Sequence, residues 1–357
     1  MTADRNCKID FLRALSMLLI VVQHYVVWGV KKSPHEVFQV DGIYSLLDYT
    51  TMEALYLLSC VGVNCFIMIT GYFLIDRTTY RWKPLIKLWV TTFFYSVGLY
   101  LLVSLCGGEA FSSGTLLKCC FPIWSEQYWF ITKYFGLMLL APFISSLASR
   151  LDGKSYLVLL AILFCMGFML PYGRIYAGGQ SLFWMIFVFL VGGYIRLFEL
   201  PKVIVNHTKI MFWALLIVYT LVVLGLEIMK SPQFKLHSFA SDSPIFFLSL
   251  ALFIWASKKP STGDVGLYKI CARIAPYVLA VYLVHMNAHL YPYVWELFIP
   301  QRYGIPVALH ALLSCSIIFV VCIGIDYIRG VLFKILRVDH LFEMIASKIK
   351  YSIVTLK

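Results

Sequence analysis

The sequence predicts an all-α, polytopic membrane helical bundle of about ten transmembrane helices, followed by a C-terminal amphipathic helix. Three observations predict it. Hydrophobic residues make up 61% of the 357 residues and charged residues 13%, whereas soluble domains sit near 45–50% and about 25%. Ten apolar runs are long enough for helices, and none shows the short alternating pattern of a barrel strand. No connecting loop exceeds about 20 residues, so no soluble domain is expected. The composition excludes a soluble globular enzyme, a disordered chain and a fibrous chain. In lipid the backbone must satisfy its own hydrogen bonds, which leaves a helical bundle as the expected architecture.

The first run covers about 10–30. It carries Arg13 and His24 and lacks a small-x-small cleavage site, so it reads as an uncleaved first span and not a signal peptide. Further runs follow at roughly 52–75, 84–106, 128–148, 155–171, 181–198, 209–229, 244–257, 276–298 and 305–328; the fifth and eighth are short. The net charge is +12. With the N-terminus placed in the cytoplasm, 21 Lys and Arg fall on that side and 7 on the other. The positive-inside rule then places both termini inside, and the excess charge needs no nucleic-acid partner. Beyond Asp326, the residues Val331, Ile335, Val338, Phe342, Ile345 and Ile349 recur at three- and four-residue steps. This pattern reads as an amphipathic helix on the anionic inner leaflet. The chain thus divides into a transmembrane domain over 1–328 and a cytoplasmic tail over 329–357. Of ten cysteines, seven fall inside apolar runs and none forms a CxxC pair. Zinc and thioredoxin-like readings have no support, and buried free thiols are expected.

A charge inside lipid is costly unless paired or wetted, so intramembrane ionisable groups are the first candidates for function. Arg13 and His24 lie eleven residues apart in the first run. That spacing is three helical turns plus about 20°, which puts both on one face and about 16 Å apart along the axis. Arginine offers a fixed positive fork for phosphate or carboxylate. Histidine suits a general base near neutral pH. The structural alternative pairs Arg13 with Asp10 and hydrogen-bonds His24 within the bundle. The turn from Asp76 to Lys87 gathers Arg77, Arg81, Lys83 and Lys87. It serves either as a topology anchor or as a phosphate site for coenzyme A. At the fourth run, Glu126 precedes the span and Lys133 lies inside it, either snorkelling or beside a polar cavity. Tyr128 and Trp129 fit an interface belt. In the ninth run His285 and His289 are four apart, which on a helix puts them on one face. No local carboxylate or thiol completes a metal set, so packing is favoured and no metal site is expected. His237 and Asp242 have the HxxxxD spacing of glycerolipid acyltransferases, but they fall in an outer loop and are set aside. No GxSxG elbow, P-loop or GxGxxG is present.

The segment IDFLRALSMLLIVVQHYVVWG resembles the first span of the acyltransferase 3 family, whose signature is Arg, ten residues, then His. VGVNCFIMITGYFLI is similar to its second span, and YWFITKYFGLMLLAPFI to a later segment with a following Pro-Phe. FVFLVGGYIRLF and VYLVHMN resemble further family segments in the right order. The resemblance implies a ten-helix integral membrane enzyme of the bacterial plasma membrane. Such an enzyme moves acetyl or similar groups from acyl-CoA, a co-substrate and not a resident cofactor, to hydroxyls of extracytoplasmic glycans, some of them lipid-linked. It implies His24 as proton acceptor and Arg13 as a holder of the donor. Where the family carries Arg-x-x-Arg, this chain has Arg81-Trp82-Lys83 and then Lys87, which leaves open which of these bases meets coenzyme A. The resemblance is to the stand-alone type, so the fused hydrolase-like domain of some members is not expected. Lys133, Asn64 and His285 are candidate donors to a developing oxyanion. The alternative reading is a transporter or flippase for a lipid-linked glycan or a small anion. A membrane-bound O-acyltransferase of the other large family fits the N-terminal Arg and His poorly.

Overall fold

Every regular element among the described residues is a helix. The computed structural model describes residues 6–29, 46–79, 82–168, 181–228, 243–258, 266–299 and 305–348. Arg81, His237 and Asp242 lie outside them.

Helix α1 (Cys7–His24) starts at Asn6, whose side chain accepts from the backbone N–H groups of Lys8 and Ile9. Asp10 in its first turn complements the positive end of the helix dipole. A π-helical turn, Tyr25–Gly29, continues it. Helices α2 (Leu46–Ser59) and α3 (Val61–Leu74) meet at Cys60. Then follow α4 (Trp82–Leu105), α5 (Ser113–Cys120), α6 (Trp129–Ala148), α7 (Gly153–Phe168) and α8 (Leu182–Leu197). The second half comprises α9 (Lys202–Ile228), α10 (Ser243–Lys258), α11 (Gly266–Ile274), α12 (Val278–His285), α13 (Tyr291–Leu297), α14 (Val307–Ile335) and α15 (Val338–Lys348).

Six helices among the described residues are long and apolar enough to cross a membrane, or seven if α11 and α12 form one bent span. The ten runs expected exceed that number; α7, α8 and α10 are apolar but shorter. The run over 276–298 is not one helix. The chain bends by 59° between α11 and α12, where Pro276 lacks the N–H a continuing helix needs. α12 stops at His285, and Asn287 Oδ1 then accepts from the His289 N–H at 3.0 Å in an Asx turn. His285 and His289 therefore do not share the helical face that their spacing predicts. The last run continues to Ile335, beyond the boundary near 328. The chain breaks at Arg337, with φ of 51°, before α15.

The tightest contact joins α3 to α8. A Cβ on Gly71 would stand 1.9 Å from the Phe189 carbonyl oxygen, and one on Gly192 would stand 2.2 Å from that of Met68. Small residues let the two backbones touch, the usual route to helix association in lipid. Asn64 on α3 then ties three helices. Its Oδ1 accepts from Trp184 Nε1 of α8 at 3.0 Å, and its Nδ2 donates to Ser249 Oγ of α10 at 3.3 Å. α1 packs against α3, α11, α12 and α14, which brings its polar residues into the bundle.

Candidate active site

Helix α1 carries one candidate near its start and the other at its end. His24 is its last α-helical residue, and the wider π turn begins directly after it. Such turns occur often at functional sites. His24 Nδ1 lies 2.9 Å from His285 Nε2, at the end of α12. His285 is fully buried, and its Nδ1 lies 2.5 Å from the Val281 carbonyl oxygen.

The protons in this chain follow from the carbonyl. Val281 O only accepts, so His285 Nδ1 carries the hydrogen. In a neutral ring His285 Nε2 is then the acceptor, and His24 Nδ1 must donate to it. The neutral His24 ring is left with its lone pair on Nε2. The pair therefore holds His24 in the tautomer a general base requires, as a second group orients the histidine of a hydrolytic triad.

Aromatic rings surround the pair. Tyr282 packs 6.2 Å from the His24 ring and 5.9 Å from that of Tyr128. Trp295 on α13 meets the His285 ring edge-on at 6.0 Å. Among the described residues, the buried Trp295 indole N–H meets no hydrogen-bond partner. Directly after His24, Tyr25 hydrogen-bonds His310 Nδ1 of α14 through its hydroxyl at 2.8 Å.

At the other end of α1, Arg13 Nη1 donates to Asp10 Oδ1 at 2.8 Å. The pairing named as the structural alternative is thus present, and Arg13 also lines a cavity of about 330 Å³ with Thr70, Phe130 and Tyr134. A second cavity of about 250 Å³ adjoins it, sharing Tyr134, Met138 and Leu279, and is lined by Lys87, Asp326 and Arg329. Arg329 binds Asp326 through Nε at 2.5 Å and Nη2 at 3.2 Å, and Tyr95 donates to the same carboxylate at 2.7 Å. This buried triad was not singled out in the sequence. Its signal was Asp326 and Arg329 at an i,i+3 spacing, which reads equally well as a helix end with an anchoring base.

The remaining candidates divide. Lys87 lines the second cavity, while Arg77 is exposed and donates to the Phe73 carbonyl at 3.2 Å. Lys83 reaches Glu343 of α15 at 2.5 Å. Lys133 pairs with Glu126 at 2.6 Å, and Trp129 packs against the core. Tyr128 is buried, donates to the Leu283 carbonyl at 3.0 Å and accepts from Asn287 Nδ2 at 2.8 Å, which secures the end of α12. Asn64, Lys133 and His285, the candidate oxyanion donors, are each engaged elsewhere. Among the described residues no group of three or more His, Cys, Asp or Glu side chains is arranged to hold a metal ion.

These features define a multi-helix membrane protein with an oriented histidine pair and, about 16 Å away along α1, a basic cavity. An acyltransferase-domain family, acyltransferase 3, matches residues 7–327, nearly the whole chain. The chain belongs to that family and is a membrane acyltransferase. No curated protein and no solved structure matches it.

Proposed function

We propose that this protein transfers an acetyl or similar short acyl group from acyl-CoA to a hydroxyl of an extracytoplasmic glycan, such as a cell-surface polysaccharide. The observation that carries the reading is the His24–His285–Val281 chain, which leaves His24 Nε2 as an oriented base. The glycan hydroxyl gives its proton to His24 Nε2 as its oxygen attacks the thioester carbonyl. The tetrahedral intermediate collapses, the C–S bond breaks, and the coenzyme A thiolate takes the proton from His24. The indole N–H of Trp295, which meets no hydrogen-bond partner among the described residues, is the donor we assign to the oxyanion.

Coenzyme A enters at the basic end. Arg13 and Lys87 line the cavities there, and Arg77, Arg81 and Lys83 belong to the same basic turn. Their charge suits the phosphates of coenzyme A. The pantetheine arm then spans the roughly 16 Å from Arg13 to His24. Tyr128, Trp129 and the Glu126–Lys133 pair support the outer end. Six long helices, one bent pair and three shorter apolar helices would together make ten spans; on this reading they lie in a bacterial plasma membrane, and the bias of Lys and Arg puts both termini in the cytoplasm. On this reading α15 is the amphipathic helix on the inner leaflet.

The test uses full-length protein in detergent or vesicles with labelled acetyl-CoA and a candidate glycan. His24→Ala is expected to abolish transfer while the protein still inserts and binds acetyl-CoA. Arg13→Ala is expected to raise KM for acetyl-CoA. Normal transfer by His24→Ala overturns the reading.

A further inference from the structure

A second set of reactive side chains lies outside the histidine pair, where α5 meets the turn after α12. Cys119 Sγ lies 3.5 Å from His289 Nε2. His289 Nδ1 lies 2.6 Å from Glu109 Oε2. Gln127 Nε2 donates to the same sulfur at 3.2 Å, and its Oε1 accepts from Ser96.

The hydrogens are again determined by the acceptors. An ionised Glu109 accepts only, so His289 Nδ1 carries the hydrogen and its Nε2 accepts the Cys119 S–H. Ser96 holds the Gln127 carbonyl, which turns the amide N–H towards sulfur. A nucleophile, a base within hydrogen-bond reach and a third group orienting that base form the signature of nucleophilic catalysis. Burial pushes the Cys119 thiol up, so it keeps its proton until His289 removes it. The neighbouring Cys120 has no such partners among the hydrogen bonds described.

Two features connect this cluster to the acyl chemistry. His285 and His289 are four residues apart, so the chain limits their Cα separation to about 14 Å. Asn287 between them binds both the His289 N–H and the Tyr128 hydroxyl, fixing the two histidines in one rigid turn. The cluster also opens on one side. The sulfur is sealed, while the Glu109 side chain is 38% exposed.

We propose that Cys119 is a nucleophile that takes the acyl group from acyl-CoA and holds it as a thioester. The inference rests on the proposed acyl-CoA donor. The Cys119 sulfur bonds to the acyl carbon and the bond from that carbon to the coenzyme A sulfur breaks. His289 takes the thiol proton and returns it to the departing thiolate. One thioester replaces another, so no other reactant is needed. The glycan hydroxyl then attacks this thioester in place of that of coenzyme A: its proton passes to His24, the bond from the acyl carbon to the Cys119 sulfur breaks, and the sulfur regains a proton from His24. Loading requires α5 to open over the sulfur.

The test mixes full-length protein with acetyl-CoA labelled in the acetyl group, without glycan, and quenches in acid. The expected result is a burst of about one free coenzyme A per protein, and a hydroxylamine-labile label on the Cys119 peptide. Cys119→Ala and His289→Ala lose both; Cys120→Ala keeps both. His24→Ala loses glycan transfer but keeps the burst, because His289 serves Cys119. Wild-type protein that transfers acyl to glycan without a burst, or with its label on another residue, overturns the proposal and leaves the His24 reading standing. Wild-type protein that neither bursts nor transfers overturns both.

Discussion

Replacing His285 isolates the part of the mechanism that depends on one hydrogen bond. His24 Nδ1–H donates to His285 Nε2 at 2.9 Å, and His285 is fully buried. Leaving a buried N–H unpaired costs about 1–3 kcal/mol. Each 1.4 kcal/mol is tenfold, so His285→Ala removes a bias of roughly 5- to 150-fold towards the tautomer with an open Nε2. kcat for acyl transfer is expected to fall by that factor. KM for acetyl-CoA is expected to hold, because Arg13 and Lys87 line cavities at the other end of α1. His24→Ala must cost more, since it removes the base itself. His285→Gln offers an amide oxygen as acceptor and is expected to recover part of the loss. The assay is initial-rate transfer on variants that elute as single species in detergent. A wild-type kcat in His285→Ala, or a change confined to KM, refutes the argument.

Two further outcomes follow from packing and charge. Gly192→Ala places a methyl 2.2 Å from the Met68 carbonyl oxygen, and Gly71→Ala places one 1.9 Å from that of Phe189. Backbone cannot yield as a side chain does, so each is expected to cost about 1–3 kcal/mol and lower the Tm in detergent; an unchanged Tm contradicts the close approach. Lys83 beside Glu343 holds that carboxyl below the usual carboxylate range. A lowered folded value stabilises above the ordinary range and is lost as pH falls through the folded value. Amide exchange in α15 is therefore expected to rise on acidification, and Glu343→Gln at neutral pH is expected to exchange like the acidified wild type. Equal exchange in wild type and variant at pH 7 shows that the pair does not dock α15.

Composition and run length made the membrane bundle legible, because an apolar run long enough for lipid has few other fates. The basic turn was legible as charge, but the fate of each base was not. Lys83 finds Glu343, distant by 260 residues, while Lys87 lines a cavity. The ninth run shows the opposite failure. Its hydropathy continues across Pro276 and Asn287, so a helix reading placed His285 and His289 together. The turn after α12 sends them apart, one to His24 and the other to Glu109 and Cys119.

The sequence by itself determined the all-helical class, the family through its ordered segments, and the placement of Arg13 and His24 on α1. These depend on hydropathy and on helical periodicity, which act over one or two turns. Only the tertiary structure decided what each polar group meets. His24 and His285 are 261 residues apart in the chain, Tyr95 and Asp326 are 231 apart, and Cys119 and His289 are 170 apart. Which partners meet depends on how helices pack across the bundle, as at Gly71 and Gly192, and no local pattern encodes that arrangement.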